Sequence, residues 1–476
     1  MANAKADFVH LHVHTEYSLL DSTLRLGDLF KKAKEYQMPS IAMTDYGNLF
    51  GAIQFYKQAQ KAGIKPIIGC ELYVAPKSRF DKSFAGIEES SHNLVVLVKN
   101  LQGYKNLLKL LSIGYIEGFY YRPRVDKEIL QYHHEGLIAI SACLHGEVSS
   151  YILKGDHSAA VKAARAYKKM FGTENFYLEI MENGLPEQWV VNEGMMEISR
   201  LLSIPVVATN DCHYLHADDA KVHEVLQCIQ TGKTLNDNNR LRSKTNQFYL
   251  RSPSEMKRLF SHCPEAIANT VLIADQCNLS LELDCPRPCQ FQLKEGCIPD
   301  EYLVKNANER VNGVQSTIDT DFSQKGSDYI IRHITEKYGR NRVAKIITFR
   351  KMRAKSAIRH VGHAMHLPYE DVNAITKMVP TIQNISLEDA FNMEPRLRKA
   401  AKKSEKIQKL LSLSWALNGL IMHSSTSTVG MVISDKPLVD MVPLCSGSGG
   451  DIVTQYSITD LQNMGFSILK FPHITR

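Results

Sequence analysis

The sequence contains no long apolar run: no stretch approaches the roughly 20 residues that a membrane span requires. Its first residues, MANAKADFVHLH, lack the apolar core of a signal peptide, so we expect a cytoplasmic protein with no membrane partner. Ten cysteines in 476 residues are too few for a disulfide scaffold. Neither a G-x-S-x-G nucleophile elbow nor a Walker phosphate loop is present, which argues against serine-hydrolase and P-loop chemistry.

Positive charge is in modest excess and is unevenly placed. The formal net charge is +7, and hydrophobic (44%) and charged (22%) residues show the balance usual for a soluble globular protein. Two basic runs lie within residues 340–366 and 396–409. Such runs suit either a DNA phosphate backbone or a solvated helix face, and charge alone leaves both interpretations open. The candidate DNA-binding residues of the first run are Arg340, Arg342, Lys345, Arg350, Lys351 and Arg353.

Short apolar runs alternate with amphipathic stretches of helix length over the first 213 residues. Helical patterns occupy, for example, residues 26–37, 51–63 and 157–171. This alternation predicts an α/β fold in which parallel strands are joined by right-handed crossovers and close into a barrel, with its chemistry on the loops after the strands. The seven predicted strands are residues 8–14, 40–45, 67–74, 93–99, 137–143, 175–181 and 205–211.

Residues suited to metal binding recur at or near the ends of these strands. Residues two apart on a strand share a face, so His12 and His14 point the same way, as do Asp211 and His213. Histidines in such pairs are often simply packed, but convergence from several strands favours a zinc or manganese site. Metal ions lower the pKa of bound water to about 7, which suits phosphodiester hydrolysis. The candidate ligands are His12, His14, Asp21, Glu71, His92, Cys143, Asp211 and His213.

The motifs FVHLHVHTEYSLLDS (8–22), AMTDYGNLFGA (42–52), GCELYVAP (69–76), ISACLHGEV (140–148) and ATNDCHYL (208–215) resemble the PHP domain of bacterial DNA polymerase III alpha subunits. The resemblance implies a distorted seven-stranded barrel that binds up to three metal ions. It further implies either a proofreading 3′–5′ exonuclease or a platform for a separate exonuclease subunit. The ligands it implies are His12, His14, Asp21, Glu71, Cys143, Asp211 and His213.

Two positions depart from the pattern of this family. The motif that usually reads TDHGN is TDYGN here, and the phenol of Tyr46 is a poor metal ligand because its pKa is near 10. On the fourth predicted strand, Asn93 occupies the register of a ligand histidine, and a one-residue shift would turn His92 to the opposite face. We expect one to three Zn²⁺ or Mn²⁺ ions, and these two positions argue against the full number.

The motifs ITEKYGRNRVAKIITF (334–349), VISDKPLVDMVPL (432–444) and VTQY (453–456) resemble the palm region of the same polymerases. We predict a barrel over residues 1–285, a linker over 286–315 and an incomplete α+β palm over 316–476, without the thumb and the Gly-Ser-rich phosphate loop. The palm signature retains Asp319 and Asp321, but Thr317 replaces its first aspartate and Pro472 stands where the third is expected. Nucleotidyl transfer needs carboxylates that hold two Mg²⁺ ions about 3.5–4 Å apart, so we expect neither that pair nor DNA polymerisation.

Four functional hypotheses follow from these residues. The first is a PHP-type hydrolase that acts on a DNA 3′ end or another phosphoester. The second is a non-catalytic scaffold that binds an exonuclease subunit, DNA or other replisome proteins. The third is a fragment of a DNA polymerase, and the fourth is the unselected product of a decaying gene.

Overall fold

The computed structural model describes residues 7–84, 86–87, 89–142, 144–241, 244–284, 317–319, 324–447 and 450–470. Only the backbone is described at 317–319, 324–330, 428, 429 and 470. The predicted linker over 286–315 lies outside these residues, so the domain boundary there stays a prediction. In the described part of the chain, no helix combines the length and the apolar character needed to cross a membrane.

The N-terminal region is a curled mixed sheet surrounded by helices. Six of the seven predicted strands form within a few residues of their predicted bounds, because runs of Val, Ile and Leu favour buried strands. The strands are β1 Ser40–Met43, β2 Lys65–Val74, β3 His92–Val98, β4 Arg124–Val125, β5 Leu137–Ile140, β6 Phe176–Met181 and β7 Val206–Thr209. They are hydrogen-bonded in the order β1-β2-β3-β5-β6-β7, with β4 paired to β2.

The prediction that all strands run parallel is wrong for β3. This strand is antiparallel to both neighbours, β2 and β5, whereas β1–β2, β5–β6 and β6–β7 are parallel. A parallel connection needs a crossover, usually a helix. The described residues between β2 and β3 form no helix, so the chain turns back and pairs in the opposite direction.

The predicted first strand, residues 8–14, is not a regular strand, yet it joins the two ends of the sheet. On one side the amides of Ala42 and Thr44 donate to the carbonyls of His10 (3.0 Å) and Val13 (2.8 Å). On the other side the His14 amide donates to the Cys212 carbonyl (2.9 Å). The segment advances by three residues, from His10 to Val13, while its partner advances by two, from Ala42 to Thr44. The extra residue in one of two paired segments is a β-bulge. The segment therefore closes the barrel without continuous pairing.

Ten helices accompany this sheet among the described residues, and the three predicted ones are confirmed. Helix α6 covers the predicted 157–171, whereas α1 and α2 end one or two residues earlier than predicted. The helices are α1 Leu26–Glu35, α2 Ala52–Ala62, α3 Leu101–Ile116, α4 Lys127–Tyr132, α5 Glu147–Leu153, α6 His157–Phe171, α7 Pro186–Leu202, α8 Ala220–Thr231, α9 Pro253–Leu259 and α10 Pro264–Gln276.

The C-terminal region is a second α+β unit. Its sheet has the order β11-β12-β9-β10-β13-β8. Its strands are β8 Thr317–Asp319, β9 Val343–Lys351, β10 Ile421–Ile433, β11 Leu444–Ser446, β12 Ile452–Thr454 and β13 Ile468–Lys470. Its helices are α11 Gln324–Tyr338, α12 Ala354–Ala364, α13 Tyr369–Met378, α14 Leu387–Met393, α15 Pro395–Lys403, α16 Glu405–Leu417 and α17 Ile458–Asn463.

The two regions are packed together. Residues of the second sheet, among them Ile346, Val432 and Leu444, belong to the same apolar core as the barrel helices. Inside this core the hydroxyls of Tyr104 and Tyr456 are hydrogen-bonded at 2.6 Å. A separate helical core, formed mainly by α12–α16, also takes in residues of α8 from the barrel region. The barrel is therefore in contact with both parts of the C-terminal region.

Candidate metal centre

Four buried side chains from three parts of the barrel meet at one point. His12 and His14 come from the segment that closes the barrel, Glu71 from β2 and Asp211 from the residues just after β7. Potential ligand atoms of all four lie within 4.8 Å of one another. Asp211 has a left-handed backbone with φ of 45°, a conformation that is uncommon outside glycine and frequent at functional sites.

The contacts in this group converge on two carboxylate oxygens. The Nε2 atoms of His12 and His14 lie 2.8 and 3.0 Å from Glu71 Oε2. They lie 3.3 and 3.2 Å from Asp211 Oδ1, and Nε2 of His213 lies 3.2 Å from the same oxygen. Despite these three neighbours, Asp211 Oδ1 makes no hydrogen bond. The geometry therefore gathers five ligand-type atoms around one small volume.

Hydrogen bonds on the far side of each imidazole fix its tautomer. His12 Nδ1 lies 2.9 Å from Glu179 Oε1, and His213 Nδ1 lies 2.8 Å from the carbonyl of Asp21, so both Nδ1 atoms donate. His14 Nδ1 lies 3.1 Å from Ser18 Oγ, whose own proton goes to Asp45 (2.5 Å), so it donates as well. All three Nε2 atoms then face carboxylate oxygens, and that of His12 is hydrogen-bonded to Glu71 Oε2 at 2.8 Å. A metal ion that displaced the proton would find a lone pair on each of these Nε2 atoms.

Carboxylates whose oxygens lie within 4.8 Å of each other repel unless positive charge lies among them, either as protons on the imidazoles or as a metal ion. Four ligands that surround Zn²⁺ at about 2.0–2.2 Å are separated from one another by about 3.3 Å. The observed separations of 2.8–3.3 Å are close to this spacing. The donor set of imidazoles and carboxylates is also the one that zinc and manganese prefer. These residues therefore fit a divalent ion.

The electrostatics of the group agree with this geometry. Burial disfavours a charged imidazole, yet the carboxylates of Glu179, Asp211 and Glu71 raise the pKa of His12 well above its ordinary value. Burial likewise opposes protonation of His14, but Asp211 and Glu71 raise its pKa to about 9. In turn, although burial opposes it, His12 and His14 lower the pKa of Glu71 to about 2. The group attracts positive charge, either as protons or as a metal ion.

A second set of potential ligands adjoins the first. Asp21, His213 and His223 also have ligand atoms within 4.8 Å of one another. His213 belongs to both neighbourhoods, because its Nε2 faces Asp211 while its Nδ1 donates to the Asp21 carbonyl. Of the predicted ligands, His12, His14, Asp21, Glu71, Asp211 and His213 therefore lie together, whereas Cys143 lies outside the described residues.

The structure does not bring His92 to this centre. Successive residues of β3 face opposite sides, and Asn93 is the one that points inward, where its amide donates to Glu71 Oε1 (2.6 Å). His92 lies on the other face, with its ring 6.2 Å from that of Tyr151. Tyr46 stacks on His14 with ring centroids 4.0 Å apart. Aromatic and amide groups thus border the centre at these two positions.

Sequence reasoning missed two buried residues that support the centre. Glu179 accepts hydrogen bonds from His12 Nδ1 and from the Thr209 hydroxyl (2.6 Å). A charged residue in the middle of the apolar strand FYLEIM was a signal that could have identified it. His223 donates from Nε2 to the Asp21 carbonyl (2.9 Å), and nothing in its helical sequence context distinguished it.

The basic residues of the first run lie mainly on the surface around β9. Lys345 is half-buried and forms an ion pair with Asp451 (2.7 Å), whereas the others are exposed: Arg340, Arg342, Arg350, Lys351 and Arg353. Of the palm aspartates, Asp319 ends β8 and is described by its backbone alone, and Asp321 lies outside the described residues. The second basic run lies on α15 and α16, with its charged side chains exposed.

Comparisons with known proteins match both regions. A PHP domain model matches residues 10–183, and a model described as the bacterial DNA polymerase III alpha NTPase domain matches residues 311–472. DNA polymerase III alpha subunits from Borreliella burgdorferi, Treponema pallidum and Thermus aquaticus are 35%, 34% and 31% identical. Each alignment covers 98% of this chain and 48%, 47% and 51% of the relative, so the chain spans about half the length of these curated relatives.

The alignments are longer than the chain itself. The Borreliella alignment extends over 556 residues against 476 in this chain, so that relative carries internal segments that are absent here. A solved structure from Bifidobacterium adolescentis, described as a metal-dependent phosphoesterase, covers 43% of this chain and 87% of its own at 14% identity. Its TM-score of 0.23 is too low to support an argument about this fold.

Proposed function

Because the chain belongs to the family of bacterial DNA polymerase III alpha subunits, we propose that its barrel is a metal-dependent phosphoesterase that hydrolyses a phosphodiester at a DNA 3′ end. The proposed cofactor is Zn²⁺ or Mn²⁺, one to three ions per barrel. The proposed partners are DNA and other replisome proteins.

The observation that carries this proposal is the convergence of three Nε2 atoms on two carboxylates in a buried site. A structural histidine normally directs both ring nitrogens to hydrogen-bond partners, as His10 does with the Arg251 carbonyl (2.8 Å) and Cys212 Sγ (3.6 Å). His12, His14 and His213 instead donate from Nδ1 away from the centre and direct all three Nε2 atoms at the same two carboxylates, those of Glu71 and Asp211. Imidazoles and carboxylates that meet at one buried point are the donor set of a zinc or manganese site.

Each residue has a role that follows from its contacts. His12, His14, Glu71 and Asp211 would hold one ion, and Asp21 and His213 lie where they could hold another. Bound divalent ions lower the pKa of water and polarise a phosphoryl oxygen. Glu179 keeps His12 in the Nδ1–H tautomer, and Ser18 with Asp45 does the same for His14. These supporting groups orient the ligands in advance.

Metal content and nuclease activity test the proposal together. The purified protein is measured by elemental analysis and then assayed on a 5′-labelled single-stranded oligonucleotide with Zn²⁺ or Mn²⁺ added. The double variant His12→Ala with His14→Ala should lose both the metal and the shortening of the labelled strand from its 3′ end. His92→Ala is the matched control, because it removes a histidine from the opposite face of β3. Folded protein with neither metal nor activity would reject the proposal.

A second candidate function is a non-catalytic scaffold that binds an exonuclease subunit. Tyr46, stacked on His14, and Asn93, bonded to Glu71, occupy positions where further ligands would complete a larger metal site. The same experiment distinguishes the two functions. Bound metal without hydrolysis, combined with co-purification of an exonuclease, would favour the scaffold.

DNA binding is proposed for the exposed basic residues of both runs, whereas polymerisation is not proposed. The exposed residues Arg350, Lys351 and Arg353 follow one another closely in the chain at the end of β9 and its junction with α12. A contact with several phosphates would make binding strongly salt-dependent. Primer extension with Mg²⁺ should yield no product, because Thr317 stands where the family has a carboxylate.

A further inference from the structure

His223 on α8 is buried and oriented towards the loop that carries Asp21, and its ring lies 5.4 Å from that of the proposed ligand His213. The residue is 4% exposed. Its Nε2 donates to the carbonyl of Asp21 at 2.9 Å, and its Nδ1 has no hydrogen-bond partner among the described residues. Because a carbonyl can only accept, this contact also fixes the tautomer of His223.

The Asp21 carbonyl accepts from two imidazoles at once. His213 Nδ1 donates to it at 2.8 Å and His223 Nε2 at 2.9 Å. The first of these bonds is the one that turns the Nε2 lone pair of His213 towards Asp211. The position of the Asp21 carbonyl oxygen therefore determines the orientation of the His213 ring. His223 is the second side chain that is hydrogen-bonded to this oxygen and holds it in place.

The rest of α8 packs against the C-terminal helices. Val225, Leu226 and Cys228 belong to the helical core that is formed mainly by α12–α16. Just after α8, the amide of Leu235 donates to the carbonyl of Ala364, the last residue of α12, at 2.7 Å. The same helix thus contacts the loop that carries Asp21 through His223 and the C-terminal region through its apolar residues.

We infer that His223 is a positioning residue for the metal centre and that α8 couples metal binding to the stability of the C-terminal helical core. Movement of α8 displaces the Asp21 carbonyl, which releases the ring of His213. Conversely, a metal ion that fixes His213 and Asp21 restrains α8 and the helices packed on it. Coupling of this kind is reciprocal by thermodynamic necessity. The inference rests on the proposed metal centre but not on hydrolysis.

Three substitutions at one position test the positioning role. His223→Gln places an amide N–H near the position of Nε2 and keeps the donor, whereas His223→Asn is too short to reach and His223→Leu has no donor. Zinc affinity is measured by competition with a chromophoric chelator, and the ligand geometry by the visible spectrum of Co²⁺-loaded protein. The Asn and Leu variants should lose about 10–100-fold in affinity and change the Co²⁺ spectrum. The Gln variant should keep both near the wild type.

Hydrogen exchange tests the coupling in the same proteins. Adding Zn²⁺ should slow amide exchange over residues 354–364 and 405–417 in the wild type and in the Gln variant, and should have little effect there in the Asn variant. His133→Leu, a half-buried histidine after α4 that has no contact with the centre, is the control.

Each result decides one part of the inference. Wild-type zinc affinity in the Asn and Leu variants would overturn the positioning role, as would weak binding by a folded Gln variant. Metal that binds without slowing exchange in the C-terminal helices would overturn the coupling. If the wild type itself binds no metal, the proposed centre fails, which is a different outcome from failure of this inference. If the Leu variant does not fold, the comparison of zinc affinity between the Asn and Gln variants still tests the positioning role.

Discussion

Replacing Glu179 is the sharpest test of how the centre is built. This residue lies on β6 and does not belong to the set of four converging ligands, yet it accepts the Nδ1–H of His12 at 2.9 Å and the hydroxyl of Thr209 at 2.6 Å. Its carboxylate also helps to raise the pKa of His12 against the effect of burial. Without it, His12 can take the other tautomer and withdraw the Nε2 lone pair from the metal position.

The size of the effect follows from these two contacts. Groups that orient a metal-bound histidine typically contribute about 10–100-fold in metal affinity, or about 1.4–2.7 kcal/mol. Glu179→Gln can still accept both protons but loses the negative charge, so its loss should lie at the lower end. Glu179→Leu removes the acceptor altogether, and its loss should lie at the upper end. The Leu variant should also lose about 1–3 kcal/mol of stability, because the buried Thr209 hydroxyl is left without a partner.

The assay is zinc competition against a chromophoric chelator, with unfolding in urea as a check on stability. Glu147→Gln is a matched control, because Glu147 is a buried carboxylate of the same barrel that pairs with Lys127 (2.6 Å) and Tyr167 (2.8 Å) instead. Its zinc affinity should equal that of the wild type. If Glu179→Leu binds zinc as tightly as the wild type, the tautomer argument is refuted.

Three further outcomes can be measured. Tyr46→His replaces the phenol that stacks on His14 with an imidazole, so elemental analysis should find more metal per chain in this variant. The Tyr46→Phe variant should hold the same amount of metal as the wild type. Equal metal content in the His variant and the wild type would contradict the proposed role of this position. Tyr104→Phe should destabilise the protein by about 1–3 kcal/mol in urea unfolding, because the buried Tyr456 hydroxyl loses its partner. The double variant Tyr104→Phe with Tyr456→Phe should lose less stability than the sum of the losses in the two single variants. Strict additivity of the two losses would show that the two hydroxyls do not interact. Gly103→Ala should be severely destabilising, because a Cβ there would lie 1.8 Å from the carbonyl oxygen of Gly136, and a neutral result would show that these two backbones can separate.

Much of the site could be predicted because the spacing of its residues is local. His12 and His14, two residues apart, do lie together, as do Asp211 and His213, although neither pair stands on a regular strand. On β3 the alternation of side chains indicated that Asn93 would face inward, and the candidate ligand His92 lies on the other face. These inferences needed no knowledge of which strands are neighbours.

Other features depended on contacts between distant segments. The antiparallel direction of β3 and the bulged closure by residues 8–14 are set by pairing across the sheet. Sequence reasoning passed over Glu179 for the same reason, since β6 meets His12 only after the barrel has closed.

The sequence by itself determined the donor types and the short spacings that bring some of them together, because both depend on residues that are close together in the chain. Only the tertiary structure decided which nitrogen of each imidazole faces the centre. The nitrogen that faces the centre is set by the hydrogen bonds that Glu179, Ser18 and the carbonyl of Asp21 accept from the Nδ1 atoms of His12, His14 and His213, respectively. Ser18 is near its histidine in the chain, whereas Glu179 and Asp21 come close to theirs only in the folded protein. A hydrogen bond needs its two atoms within about 3 Å, and that distance between separate segments is fixed by packing.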